Sequence, residues 1–205
     1  MKKKLLIFDL DGVLINSQKN MQTAWNKLNQ KFELNISFIN YFDLIGIPFK
    51  KILLILGIKK NHIEYKNYYD SISNKNIKNI NLYPGVFKTL EFLKKQKIKL
   101  AIVTSKDEKR AKKIIKIILS DIKFDLISFP IKKHRSKPNP DLILNTMASL
   151  NVDPDQTLFC GDMRVDFEAA KRAKVTFVFA KYGFGKNFLY KKNNIFKFSE
   201  IKKFI

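Results

Sequence analysis

Asp9 and Asp11 close the apolar run in "LLIFDLDGVL" and are followed at once by Gly12. Two carboxylates so close together repel each other unless a cation or a proton joins them. Farther along, Gly161 precedes Asp162, and Asp166 lies one helical turn on. Thr104 and Ser105 end another apolar run, and Lys137 stands in "SKPNPD", ahead of a helix. Oxygen ligands alone suit Mg²⁺, which keeps several waters and takes one or two carboxylates plus a phosphate. An aspartate beside such an ion can attack phosphorus and form an aspartyl-phosphate. Asp11, two residues on, can carry the proton for a leaving group. A lysine and the amides at a helix N-terminus can hold phosphoryl oxygens. Phosphoryl transfer requires positioning and charge neutralisation above all, and this set supplies both.

Those residues work together only if the chain brings its strand ends to one edge. Short apolar runs read as buried parallel strands over 5–8, 100–103, 124–127, 157–159 and 175–179. Amphipathic segments separate most of them. "PGVFKTLEFLKKQ" places Val86, Leu90 and Leu93 at helical spacing, and "NPDLILNTMASL" starts a helix with a proline. "SKDEKRAKKIIKIIL" pairs Ser105 with Glu108 as a capping box, and "DFEAAKRAK" is a further helix. The tail "KKNNIFKFSEIKKFI" reads as a terminal strand or loop followed by a short helix. Strand then helix, repeated, predicts an α/β fold with a doubly wound, Rossmann-like parallel sheet, whose site lies beyond the carboxyl ends of the strands.

Residues 16–81 break that rhythm. They hold no clear buried strand, while "SQKNMQTAWNKLNQKF" and "PFKKILLILG" are helical in pattern. The stretch is far longer than a simple crossover. It is expected to be a small α-helical cap domain inserted into a core made of residues 1–15 and 82–205, with Tyr83-Pro84-Gly85 as the return hinge.

Composition narrows the function classes. The 205 residues carry a formal net charge of +22, which invites a nucleic-acid reading. Against it, only Arg110, Arg135, Arg164 and Arg172 among the 40 basic residues are arginines, the lysines are spread along the whole chain, and no zinc-finger or RNP signature is present. Abundant Lys, Ile, Asn and Phe read instead as compositional bias. The field can still draw in a small anionic substrate. Cys160 is the single cysteine, which points to a reducing compartment, and no apolar stretch is long enough to span a membrane. A cytoplasmic monomer without membrane or nucleic-acid partners is expected.

"DLDGVL", "VTSK", "SKPNPD" and "GDMRVDFEAA", in this order, resemble the haloacid dehalogenase superfamily of phosphohydrolases, and within it the phosphoglycolate phosphatase and β-phosphoglucomutase-like branch. The resemblance extends through "IGIPFKKIL" to "YPGV". It implies a helical cap after the first strand and a Mg²⁺-dependent phosphatase acting on a small phosphorylated metabolite. Asp9 would be the nucleophile and a Mg²⁺ ligand. Asp11 would be the general acid/base, with its backbone carbonyl also on the metal. Thr104 would donate its hydroxyl to the phosphoryl group, helped by the Ser105 amide. Lys137 would neutralise charge between nucleophile and phosphate. Asp162 would ligate Mg²⁺, with Asp166 in support. Aspartate two residues after the nucleophile favours phosphatase or phosphomutase chemistry over dehalogenation. A phosphomutase is the nearest alternative, and a basic nucleic-acid-binding protein on this fold a remote one. The chain departs from the family pattern at Asn16 (often Asp), Met163 (a small hydroxyl residue) and Lys174 (often Gly).

Other residues read more plainly. His62 and His134 are isolated surface residues, and Cys160 is a buried core thiol. Gly183–Lys186, "GFGK", lacks the spacing of a P-loop and reads as a loop after the last strand. Trp25 and Phe49 are expected in the core of the cap. Lys50 follows the Gly46-Ile47-Pro48 turn and is the candidate specificity residue facing the cleft.

Overall fold

The computed structural model describes residues 2–131, 134–185 and 188–205. Its elements run β1 (Leu5–Phe8), β2 (Ile15–Asn16), α1 (Gln18–Lys31), α2 (Phe38–Phe42), α3 (Phe49–Ile55), α4 (His62–Lys75), β3 (Asn81–Leu82), α5 (Val86–Lys95), β4 (Lys99–Val103), α6 (Glu108–Ile118), β5 (Leu126–Ser128), α7 (Asp141–Leu150), β6 (Thr157–Gly161), α8 (Arg164–Arg172), β7 (Thr176–Ala180) and β8 (Asn194–Ile195), and end in a 3₁₀ segment, Phe198–Phe204. Six strands form one sheet in the order β5-β4-β1-β6-β7-β8, with every neighbouring pair parallel. The chain winds outward from β1 through β4 to β5, then crosses to β6 and winds the other way. The strand order therefore reverses at β1, which puts the binding crevice beyond its carboxyl end.

Alternation along the strands builds a core on each face. Leu6 and Phe8 of β1 point with Leu100 and Ile102 toward Val86, Leu90, Leu93 and Ile114. Leu5 and Ile7 point with Ala101 and Val103 toward Leu142, Met147 and Ala169. Both sides are covered, so β1 is fully buried and apolar throughout.

Helices α1–α4 lie between β2 and β3, whose antiparallel pairing (Ile15 with Leu82, Asn16 with Asn81) forms the stem of the insert. Their core gathers Met21, Trp25, Leu28, Tyr41, Phe42, Leu53 and Tyr69. Trp25 stacks on Tyr41 with ring centroids 4.3 Å apart and donates its indole N–H to the Ile36 carbonyl.

Two local expectations are corrected. The third core strand begins at Leu126, not residue 124: the Asp125 amide still donates to the Leu100 carbonyl, but the Leu100 amide is taken by the Asp125 carboxylate in place of a backbone carbonyl. Helix α6 is capped by Asp107, whose side chain accepts from the Arg110 amide, rather than by Ser105. An Asp or Ser serves equally as an N-cap, and here the closer one wins. Lys174 adopts a φ of 58° after α8, a left-handed position that explains the glycine usual in the family pattern.

Candidate active site

Asp9 sits at the end of β1, in the centre of the sheet, and its amide donates to the Cys160 carbonyl. Beyond it the chain turns tightly: the Gly12 amide donates to the Ile15 carbonyl, and Gly12 has a φ of +82°. A Cβ there would lie 1.9 Å from Asp162 Oδ2, so glycine is required by space as well as by backbone angle. The turn aims Asp11 toward the inserted helices, where the Ser17 hydroxyl donates to Oδ1 and Lys106 Nζ lies 3.0 Å from Oδ2.

Lys137 is brought from the loop before α7 into this centre. Its side chain is 1% exposed, and Nζ stands 2.9 Å from Asp9 Oδ1 and 2.6 Å from Asp166 Oδ1. Asp166 is an N-terminal charge of α8 and also part of the centre. Its Oδ2 accepts from the amides of Met163 (3.0 Å) and Asp162 (3.2 Å) while Oδ1 takes Lys137. Asp162 Oδ2 accepts from the Phe184 amide at 2.7 Å, whereas Asp162 Oδ1 is buried without any partner. Carboxylate oxygens of Asp9, Asp162 and Asp166 lie within 4.8 Å of one another.

The electrostatics follow from burial. Burial pushes Asp9 up to about 7, reinforced by Asp166 and Asp11 and opposed by Lys137. It pushes Asp162 well above the usual carboxylate range, helped by Asp166 and Asp9. Burial acts on Asp11 in the same direction, but Lys106 and the Ser17 hydrogen bond outweigh it and bring Asp11 below its ordinary value. Lys137 moves up because Asp166 and Asp9 outweigh its own desolvation. Two carboxylates that resist ionisation beside one unpartnered oxygen make a cavity suited to a hard divalent cation with oxygen ligands. The residues present thus fit Mg²⁺: Asp9 and Asp162 can supply carboxylate oxygens, while Asp166, its oxygens already engaged, orients rather than binds.

Above this centre lies a cavity of about 280 Å³ whose lining includes Asp9, Asp11, Thr104, Ser105 and Lys106 from the core and Tyr41, Phe49 and Lys50 from the insert. Thr104 is buried at the end of β4, next to the carboxylates' edge of the sheet. Ser105 lines the cavity and donates its hydroxyl to the Gly46 carbonyl of the insert (2.7 Å). Lys50 borders the cavity from the exposed start of α3. Phe49 lines it while packing on Tyr69, and Trp25 is wholly buried behind it. Cys160 is buried in the sheet, and the His62 ring is bound to the Ile58 carbonyl away from the cavity.

Three features escaped sequence reasoning. Lys106 is a buried cation facing Asp11; it stood in the "VTSK" motif but was one lysine among many. Arg110 is buried against the insert, donating to Ser73, pairing with Asp70 at 3.3 Å and lying over the Tyr69 ring. Its signal was legible: it falls on the apolar face of α6 beside Ala111 and Ile114. The third feature is Gly183-Phe184-Gly185, which clasps Asp162. A Cβ on Gly183 would lie 2.4 Å from Asp162 Cβ, and one on Gly185 would lie 2.0 Å from the Asp162 carbonyl. Lys186, the last residue of that stretch, lies outside the described residues. Replacing Gly183 by alanine is expected to displace Asp162 and destabilise the protein by about 1–3 kcal/mol, as overpacking does. Thermal unfolding would show it, and a melting point equal to wild type would refute the clasp.

A sequence profile of the haloacid dehalogenase-like hydrolases matches residues 6–180. The phosphoglycolate phosphatase of Aquifex aeolicus is 32% identical over 185 residues, covering 89% of this chain and 87% of that protein. The phosphorylated carbohydrates phosphatase of Thermotoga maritima is 28% identical over 182 residues, covering 83% and 81%. Among solved structures, a hydrolase of the haloacid dehalogenase-like family from Streptococcus pneumoniae superposes with a TM-score of 0.85 at 22% identity, covering 98% of each chain. That last likeness is one of fold.

Proposed function

Because the chain belongs to the haloacid dehalogenase-like hydrolases and is a hydrolase of phosphoric monoesters, we propose that it is a Mg²⁺-dependent phosphatase of a small phosphorylated metabolite, acting through an aspartyl-phosphate on Asp9. The observation that carries this reading is Asp9 held 2.9 Å from Lys137 Nζ at the floor of a cavity about 280 Å³ in size. The substrates named for its relatives, phosphoglycolate and phosphorylated carbohydrates, set the expected size and charge.

The steps follow from the residues. Substrate phosphate enters over Asp9 with its oxygens toward Lys137, the Thr104 hydroxyl and the Ser105 amide. Asp9, Asp162 and the Asp11 carbonyl would hold Mg²⁺, which when bound would add to the neutralisation of the phosphoryl charge. Asp9 attacks phosphorus as the P–O bond to the alcohol breaks; Asp11, ionised at rest beside Lys106, takes up a proton from solvent as the negative charge of the phosphate arrives beside it, and gives that proton to the departing oxygen. Asp11, now ionised beside Lys106, takes a proton from water as that water attacks the aspartyl-phosphate. Inorganic phosphate leaves and Asp9 is regenerated. The inserted helices cover the cavity and exclude bulk water, the part a cap domain plays. A small anionic substrate, a monomeric enzyme and a cytoplasmic setting complete the reading. Among the described residues no helix is long and apolar enough to cross a membrane.

A screen of phosphorylated metabolites with Mg²⁺, scored for released phosphate, tests the function. Phosphate release from at least one short phosphoester, lost with EDTA, is the expected result. Isomerisation of a hexose phosphate without net phosphate release would replace hydrolase by mutase.

The raised carboxylates also fix a pH dependence. Between the ordinary aspartate value and about 7, Asp9 keeps its proton in the folded state but not in the unfolded one. The folded state therefore holds more protons, and stability without metal falls as pH rises through this window. Metal binding needs the deprotonated carboxylates, so Mg²⁺ affinity should climb with pH over the same range. The Mg²⁺-induced rise in melting temperature is expected to be larger at pH 8 than at pH 5.5. A rise independent of pH would contradict the assignment of Asp9 and Asp162 to the metal.

A further inference from the structure

The apolar core of the insert takes in two residues that do not belong to it, Met163 and Phe184. Both are bound by their backbones to the proposed metal site. The Phe184 amide donates to Asp162 Oδ2 at 2.7 Å, and the Met163 amide donates to Asp166 Oδ2 at 3.0 Å. Their side chains pack against the insert's core at the border of the cavity. The Phe184 ring lies 5.1 Å from Phe42 of α2, centroid to centroid. Met163 meets the insert at the α2–α3 turn, where a Cβ on Gly46 would sit 3.7 Å from Met163 Cγ and 3.0 Å from Val165 Cγ2. The same turn is held from the core by Ser105, whose hydroxyl donates to the Gly46 carbonyl.

Each carboxylate is therefore oriented by an amide whose own side chain is seated in the insert. A carboxylate keeps its direction only as well as its donor keeps its place, and a large apolar side chain loses its seat if the insert lifts away. The geometry points to a coupling between the two: closure of the insert over Phe184 and Met163 orients Asp162 and Asp166 and so tightens Mg²⁺ binding. Phe184 and Met163 are positioning residues in this scheme, acting through Asp162 and Asp166. Linkage makes the effect reciprocal, so bound Mg²⁺ favours the closed insert by the same factor. The inference rests on the metal assignment made above.

The test is Mg²⁺ binding by calorimetry, without substrate, on the whole protein. Phe42→Ala removes the insert's half of the aromatic contact and leaves every carboxylate in place. Its dissociation constant is expected to weaken about 5- to 20-fold, within the usual range of coupling between sites. Phe42→Leu keeps an apolar seat and should stay near wild type. Hydrogen exchange of the wild-type protein gives the reciprocal readout: Mg²⁺ should slow amide exchange in residues 38–47. Unchanged affinity in folded Phe42→Ala would overturn the coupling. So would exchange in 38–47 that ignores Mg²⁺, a result that stands even if Phe42→Ala does not fold. Failure of the wild-type protein to bind Mg²⁺ at all is a different outcome; it removes the metal assignment and the coupling with it.

Discussion

Lys137→Met abolishes turnover and lowers stability by about 3–5 kcal/mol, the usual cost of removing one partner from a buried ionic group. Lys137 is the cation shared by Asp9 and Asp166, and its side chain is only 1% exposed. Without it, three carboxylates whose oxygens lie within 4.8 Å of one another face no positive charge. Methionine fills a similar volume, so lost packing accounts for little of the effect. The pH dependence separates charge from shape. At low pH Asp9 and Asp162, both pushed up by burial, hold protons and the penalty is small; as pH rises through those raised values, the penalty appears. Melting at pH 5.5 and pH 8 without metal should therefore show the larger deficit at pH 8, and added Mg²⁺ should recover part of it. Wild-type melting at pH 8 in the variant would show that Lys137 does not neutralise this centre.

Asp9→Asn should lower kcat by at least about 10³-fold, since it removes the group that bonds to phosphorus. The fold should persist. Asparagine has the same shape, Lys137 retains Asp166, and a carboxylate that burial already pushes up to about 7 is no longer there to repel its neighbours. Loss of the nucleophile must be told apart from loss of a metal ligand. Acid quenching with labelled substrate does this: wild type and Asp11→Asn should yield labelled protein, and Asp9→Asn none. Asp11→Asn itself is expected to be slower by about 10²–10⁴-fold, the range for a lost general acid/base. Label trapped on Asp9→Asn would mean that the phosphoryl group goes elsewhere.

Much of this protein was legible in its sequence, for reasons that can be named. Leu5 to Phe8 is an unbroken apolar run because both faces of β1 are covered, and such a run followed by two carboxylates marks a central strand that ends in a polar site. The doubly wound sheet followed from strands alternating with amphipathic helices. Residues 15–16 pair with residues 81–82 at the two ends of the α1–α4 segment. Where the reading slipped, two residues offered the same local chemistry. Ser105 and Asp107 can each cap α6, and the difference is that Ser105 is drawn to the Gly46 carbonyl far away in the chain.

Residue type and spacing determined which groups could do chemistry: Asp9, Asp11, Thr104, Lys137, Asp162 and Asp166 carry their signals locally, in short motifs at strand ends. What each side chain faces is a long-range matter, and only the tertiary structure decided it. It selected Lys137 and Lys106 from a crowd of lysines by burying each against a particular aspartate. It turned "GFG" from an ordinary loop into the clasp around Asp162, because a close approach of two backbones leaves no trace except glycine. Burial also set which carboxylates resist ionisation and which, beside Lys106, does not. A sequence names the titratable groups, but their charge depends on neighbours and depth that exist only after the chain has folded.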